Sequence, residues 1–245
     1  MPVKLVLWDI DHTLIELHRL HYVLYSAAFT KLFGQVPNDV PDMSGRTDRE
    51  SSTRLLQAHG IDATQETLTR FWVELTRQFN ARHAQLPNTG HATEGAKATL
   101  NAIAQRADIY QSVLTGNLRA LAEGKLTAFG LNRYLDFDIG AYGEDGTQRR
   151  ELVAVARARL LAKHAVAASP TETVLIGDTP LDIKAARDSG AYAIGVATGS
   201  SSVEALTNAG ADIVLPDLAQ PEAVTKALVT LHSHNHHPAS AAEAD

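Results

Sequence analysis

Short apolar runs that alternate with helical patterns constrain this chain more than any other feature of its sequence. Residues 3–8, 109–114, 173–176, 192–197 and 213–215 are brief, rich in Val, Ile and Leu, and end at polar turns. They read as buried strands, with residues 137–141 a weaker candidate. Residues 118–129, 149–163 and 180–189 read as helices. The last has Thr179 as N-cap, Pro180 at its first position and Gly190 as its stop. Strands that alternate with helices imply a parallel sheet covered on both faces. We therefore expect an α/β fold with a doubly wound, Rossmann-like parallel sheet, and ligands at the carboxyl ends of its strands.

Between residue 14 and about residue 88 the alternation fails. Leu68, Phe71, Trp72, Leu75 and Phe79 fall at helical spacing, and residues 20–33 and 49–59 read as two further helices. A helical block placed straight after the first strand looks like an inserted α-helical cap domain. Its hinges are expected near residues 14–16 and 86–90, where Pro87, Asn88 and Gly90 punctuate the chain. The expected organisation is a core of residues 1–15 and 89–231, a cap of residues 16–88, and a disordered His-rich tail of residues 232–245. In that tail His232, His234, His236 and His237 fall within six residues. A metal-binding tail and a solvated end are both readings of it; the second is preferred, since no partner ligands at fixed geometry are evident.

Composition narrows the function classes. Lys and Arg number 22 against 28 Asp and Glu, a net charge of −6 over 245 residues. That balance argues against non-specific binding to nucleic acid or to an anionic membrane surface. No stretch approaches the roughly 18 apolar residues of a membrane span, and Asp9 interrupts any signal-peptide core, so a cytoplasmic protein is expected. With no cysteine, thiolate metal sites and cysteine nucleophiles are excluded. Nothing in the sequence sets an oligomeric state.

The strand ends carry the chemistry. The first closes on Asp9-Ile10-Asp11-His12-Thr13, and the third on Gly177-Asp178-Thr179-Pro180-Leu181-Asp182. Carboxylates gathered at strand mouths repel one another and call for a cation. With no soft ligand nearby in sequence, Asp9, Asp11, Asp178 and Asp182 favour a hard cation such as Mg²⁺. The second strand supplies Thr115-Gly116-Asn117, a hydroxyl with backbone N–H groups at a helix start, which reads as an anion cradle. Lys125 in the following helix adds positive charge. Acids, a hard metal and an anion cradle together suggest a phosphoryl group.

These motifs resemble the haloacid dehalogenase superfamily of aspartyl-phosphate-forming phosphohydrolases. The first motif, D-x-D-x-T, stands at Asp9–Thr13, the second at Ser112–Asn117, and the fourth, G-D-x-x-x-D, at Gly177–Asp182; their order and spacing match from Asp9 to about Leu215. The resemblance implies that Asp9 is the nucleophile and that Asp11 is the acid, then the base. It implies that Thr115 hydrogen-bonds the phosphoryl group. It also implies that Mg²⁺ is held by Asp9, the Asp11 carbonyl and Asp178, with Asp182 a metal neighbour. For Asp11 to hold a proton its pKa must rise, and neighbouring acids push that way.

This chain departs from the pattern twice. His12 stands where the superfamily commonly has glycine, either touching substrate or merely tolerated in a turn. The third-motif cation is not at a Lys-Pro pair; the equivalent region reads Gln148-Arg149-Arg150, and Lys125 is preferred over Arg149 or Arg150. Ser44-Gly45-Arg46-Thr47-Asp48 resembles a cap loop that faces the active site in related phosphatases and mutases. Arg46 there either binds a remote anion of the substrate or lies exposed beside a helix cap made by Thr47 or Asp48. The expected function is a Mg²⁺-dependent phosphatase acting on a small phosphorylated metabolite. A sugar-phosphate mutase would keep every motif. A non-catalytic phosphate-binding module is disfavoured by the full set of acids, and dehalogenation by the presence of Asp11. Phosphonate cleavage is disfavoured because Lys31 is the only lysine between residues 14 and 88.

Overall fold

The computed structural model describes residues 3–40, 42–43 and 45–233. In chain order the strands are β1 (Leu5–Trp8), β2 (Ile15–Leu17), β3 (Gly90–Ala92), β4 (Tyr110–Val113), β5 (Thr173–Gly177), β6 (Tyr192–Val196) and β7 (Ile213–Leu215). The helices are α1 (Leu20–Phe33), α2 (Asp48–Ala58), α3 (Gln65–Asn80), α4 (Leu86–Thr89), α5 (Ala96–Ala104), α6 (Arg119–Ala128), α7 (Arg149–His164), α8 (Pro180–Asp188), α9 (Val203–Asn208) and α10 (Pro221–Ser233).

Five strands form one parallel sheet in the order β4-β1-β5-β6-β7. β1 lies between β4 and β5, with Leu5 opposite both Tyr110 and Thr173. All four of its residues are fully buried, as a central strand covered on both faces requires. Strand periodicity divides them between two cores. Leu5 and Leu7 pack with Leu152, Val153 and Leu160 of α7 and Ile183 of α8. Val6 and Trp8 belong to the other core, with Leu100 and Ile103 of α5 and Val224 and Leu228 of α10. The sheet is thus doubly wound, with helices on both faces, as the alternating pattern predicts. Because the chain places β4 on one side of β1 and β5 on the other, the connections diverge beside β1, and the strand ends there open a crevice.

Expected strand and helix bounds hold to within about two residues. The exception is residues 137–141, where a single turn of 3₁₀ helix (Phe137–Ile139) replaces the weaker strand candidate. The Asp136 carboxylate accepts the Asp138 N–H at 3.1 Å, a local bond that favours a turn over extended pairing. Only the single bridge Leu114–Ala141 remains of the expected strand. α8 starts as read: Thr179 caps it, and Thr179 and Asp182 exchange hydrogen bonds in a capping box.

The helical block comprises α1 to α4. Leu68, Phe71, Leu75 and Phe79 of α3 are buried, with Trp72 half-buried at the stripe's edge. The chain enters and leaves this block through one antiparallel ribbon, with Glu16 of β2 opposite His91 of β3. The return crossing starts at Gly90, where a Cβ would lie 2.1 Å from the Glu16 carbonyl oxygen, so only glycine permits the pairing. α10 runs through Ser233, two residues into the expected tail. His234, His236 and His237 lie outside the described residues.

Candidate active site

The carboxyl end of β1 delivers Asp9, whose N–H donates to the Ile176 carbonyl of β5 at 2.8 Å. Beyond it the chain turns sharply, and a cleft of about 230 Å³ opens over the strand ends. Asp9, Asp11, Arg46, Thr115, Gly116, Asn117 and Asp178 all line it. Of the other residues expected at the site, Asp182 and Lys125 lie just behind the lining and are buried.

The acids separate into two groups. In the first, carboxylate oxygens of Asp9, Asp178 and Asp182 lie within 4.8 Å of one another. The guanidinium of Arg149, at the first position of α7, bridges Asp9 at 2.5 Å and Asp182 at 2.6 Å. Thr13 donates to Asp178 at 3.2 Å. In the second group, the Lys125 ammonium donates to both Asp11 oxygens, at 2.7 and 2.9 Å. Asn117 Nδ2 donates to Asp11 at 2.8 Å and its Oδ1 accepts from Lys125 at 2.7 Å. His21 closes this group, with Nε2 2.9 Å from Asn117 Oδ1 and 3.2 Å from Lys125 Nζ.

The cations expected as alternatives for the third motif each meet a different acid. Lys125 neutralises Asp11, whereas Arg149 holds Asp9 and Asp182. Arg149 is buried, not on a solvated helix face, while Arg150 is half-exposed and 3.9 Å from Asp188. Asp9 and Asp11 lie beyond the end of β1, where the chain turns, so the alternation that would put positions i and i+2 on one face no longer holds.

The electrostatics differ accordingly. Burial pushes Asp9 up to about 7, with Arg149 opposing and Asp182 and Asp11 adding to the rise. Burial, Asp9 and Asp182 push Asp178 up to about 9. Burial also pushes on Asp11, but Lys125, His21 and the hydrogen bonds from Lys125 and Asn117 outweigh it and hold that carboxyl below the usual range. The expected rise in the Asp11 pKa is therefore absent here, because the ammonium beside it counts for more than the acids across the cleft.

The donor set suits a hard divalent cation. Three buried carboxylates against one guanidinium leave two negative charges when all are ionised. Burial first, and the neighbouring acids second, raise two of them despite Arg149. All-oxygen donors favour Mg²⁺ over softer metals. The Asp11 carboxylate is not among them, as its oxygens go to Lys125 and Asn117.

The second-motif loop also differs from the sequence reading. Thr115 is fully buried and its hydroxyl accepts from Asn117 N and Nδ2, at 3.2 and 2.7 Å. The start of α6, however, does not stand open as an anion cradle. Leu118 N–H donates to the Asp48 carboxylate at 2.7 Å, and Arg119 N–H to Glu144 at 3.0 Å. Asp48 is buried, accepts the Tyr25 hydroxyl at 2.6 Å, and donates its own N–H to the Gly116 carbonyl at 2.6 Å. An acid of the helical block thus occupies the helix terminus, where carboxylates are favoured. Close approach makes glycine necessary at 116, since a Cβ there would lie 1.8 Å from the Arg46 carbonyl oxygen.

Of the two readings of the loop before α2, the helix cap is present, but Arg46 is part-buried instead of exposed beside it. Thr47 is the N-cap, accepting the Glu50 N–H at 3.1 Å. Arg46 lines the cleft, paired with Glu50, and its Nε is buried without a partner. Ser44 lies outside the described residues. Sequence reasoning missed His21 and the core-facing role of Asp48. A lone histidine at a helix start carries no signal, and Asp48 read as a capping residue.

Residues 6–187 match the family of haloacid dehalogenase-like hydrolases, and the chain belongs to that family. The comparison with curated protein sequences finds no match. Among solved structures, the chain is similar to beta-phosphoglucomutase from Clostridium difficile, with a TM-score of 0.70 and 15% identity over 96% of this chain and 100% of that one. It is similar to CbbY from Rhodobacter sphaeroides in complex with phosphate, with a TM-score of 0.67 and 21% identity over 89% and 96%. A predicted phosphoglycolate phosphatase from Haemophilus somnus gives 0.63 and 17% over 91% and 98%. At these identities the likeness is one of fold.

Proposed function

We propose that this protein is a Mg²⁺-dependent phosphatase that hydrolyses a small phosphorylated metabolite through an aspartyl-phosphate on Asp9. The observation that carries this reading is the division of the two first-motif acids. Asp9 stands with Asp178, Asp182 and Arg149, while Asp11, two residues on, is held by a different cation and faces the same cleft. Two carboxyls held apart by different cations at one cleft can take the separate roles of nucleophile and acid–base group, and a cation bound beside Asp9 would favour its ionised form.

Asp9, Asp178 and Asp182 would hold Mg²⁺, which supplies charge neutralisation between an anionic ester and an anionic nucleophile. The carboxylate of Asp9 forms a bond to phosphorus as the bond from phosphorus to the ester oxygen breaks. Asp11 gives its proton to the departing oxygen, then takes one from the water that cleaves the acyl-phosphate. An arriving dianion raises the pKa of a neighbouring carboxyl, so substrate binding loads Asp11 for the first step. Arg149 orients Asp9, and the Thr115 hydroxyl and Gly116 N–H face the transferring group. The helical block between the β2–β3 ribbon strands serves as a cap, and Arg46 offers a cation to a second anionic group of the substrate. No helix among the described residues is long and apolar enough to cross a membrane.

The test is phosphate release from p-nitrophenyl phosphate and a panel of phosphorylated metabolites with Mg²⁺, for wild type, Asp9→Asn and Asp11→Asn. We expect turnover that Asp9→Asn abolishes, and a trapped or slowly formed phosphoenzyme with Asp11→Asn. Phosphoryl transfer within a sugar phosphate, without release, would instead mark a mutase. No turnover of any ester at high enzyme concentration would leave a binding module.

A further inference from the structure

His12 is the part of this site that the reaction leaves unused. Its backbone has φ +63°, a left-handed conformation found among non-glycine residues of the described chain only at His12, Arg19 and Ala165. A side chain there crowds the backbone and is strained. The conformation is imposed from outside the side chain. His12 N–H donates to the Ile15 carbonyl at 2.8 Å, and the Thr198 hydroxyl donates to the His12 carbonyl at 2.5 Å. Glycine would satisfy the same turn without strain.

What the imidazole does is visible from its surroundings. Nδ1 lies 2.9 and 3.0 Å from the two oxygens of Glu16, in the β2 strand that leads into the helical block. Glu16 is not part of the cleft wall, whereas His12 is. The half-exposed ring lies between Glu16 and the cleft, and Nε2 has no hydrogen-bond partner among the described residues. A carboxylate only accepts, so in the neutral ring the hydrogen sits on Nδ1 and Nε2 presents its lone pair. Such an acceptor, oriented by a carboxylate and open to the cleft, suits a hydroxyl group.

We infer that His12 is a specificity-determining residue that accepts a hydrogen bond from a hydroxyl on the carbon skeleton of the substrate, selecting sugar and polyol phosphates over unhydroxylated esters. Glu16 is the residue that positions it. The inference rests on the phosphatase reading and adds the substrate class.

The experiment compares kcat/KM for polyol phosphates of three to six carbons with alkyl phosphates of matching length, with Mg²⁺, in wild type, His12→Gly and Glu16→Ala. His12→Gly keeps the turn, because φ +63° suits glycine. Wild type should prefer the hydroxylated member of each pair by about tenfold, the size of one hydrogen bond. His12→Gly should lose that preference, and Glu16→Ala should lose most of it. An equal preference in wild type and His12→Gly, or no preference in wild type, overturns the assignment of His12 while leaving the phosphatase reading intact. An enzyme that turns over neither class, nor p-nitrophenyl phosphate, defeats the phosphatase reading itself.

Discussion

Asp48→Ala should be strongly destabilising, and its magnitude follows from two hydrogen bonds. Asp48 takes the Tyr25 hydroxyl at 2.6 Å on one oxygen and the Leu118 N–H at 2.7 Å on the other. Both donors are buried, and the remaining neighbours of the Tyr25 hydroxyl, the Asp48 carbonyl and Ser52, stand at 3.4 Å. Alanine removes both acceptors and leaves two buried donors without good partners. At roughly 1–3 kcal/mol for each, the expected loss is about 2–6 kcal/mol. For a chain of this size that corresponds to a fall in Tm of roughly 4–24 °C. Asp48→Asn is close to isosteric, but its amide can accept on one side only and turns a donor toward the other. It should lose about half as much. Thermal and urea unfolding of the three proteins measure this directly. The docked loop also fixes the Gly116 peptide beside the cleft, so KM should rise in both variants. An Asp48→Ala protein within about 0.5 kcal/mol of wild type, with unchanged KM, would refute the claim that this acid clamps the helical block to the core.

Arg149→Ala should lower kcat/KM by about 10²–10³, the usual loss on removing one buried charged partner from a reacting centre. Arg150→Ala should stay near wild type, because its pair with Asp188 is exposed and long. Equal effects would undo the role given to Arg149. Lys125→Ala removes the ammonium that holds the Asp11 pKa down, so the acidic limb of phosphoenzyme hydrolysis, followed by single-turnover decay, should move to higher pH; an unmoved limb would exclude Asp11 as the base. Gly116→Ala drives a methyl into the Arg46 carbonyl and should cost about 1–3 kcal/mol of stability, read by urea unfolding. The metal-free protein should lose stability as pH rises. Asp9 and Asp178, raised to about 7 and about 9, keep protons in the fold that the unfolded chain releases above about 4. Between pH 4 and 9 the unfolded state therefore binds fewer protons, and stability falls through that window. Mg²⁺ should raise Tm more at pH 8 than at pH 5; an equal or smaller gain at pH 8 would speak against binding at these acids.

Most of the core is readable in the sequence because its signals are local. A buried parallel strand needs a short apolar run, so β1, β4, β5, β6 and β7 appear where composition places them. Thr179, Pro180 and Asp182 mark the start of α8 through bonds spanning four residues. The acids of the site are legible for the same reason, since Asp9 and Asp178 follow directly from strand ends, Asp11 stands two residues on, and Asp182 lies in the first turn of α8. Residues 137–141 mislead because a short apolar stretch does not distinguish a strand from a turn held by Asp136.

By itself, then, the sequence determined the layered fold, the interrupting helical block and the identity of the four acids. Only the tertiary structure decided how those acids are partnered. Arg149 reaches Asp9 across 140 positions, Lys125 reaches Asp11 across 114, and Asp48 reaches Leu118 across 70. Periodicity and capping act within a few residues and carry no information about such pairs. Which cation meets which carboxylate depends on how α6, α7 and the loop before α2 settle against β1. That placement is set by the packing of two cores at once.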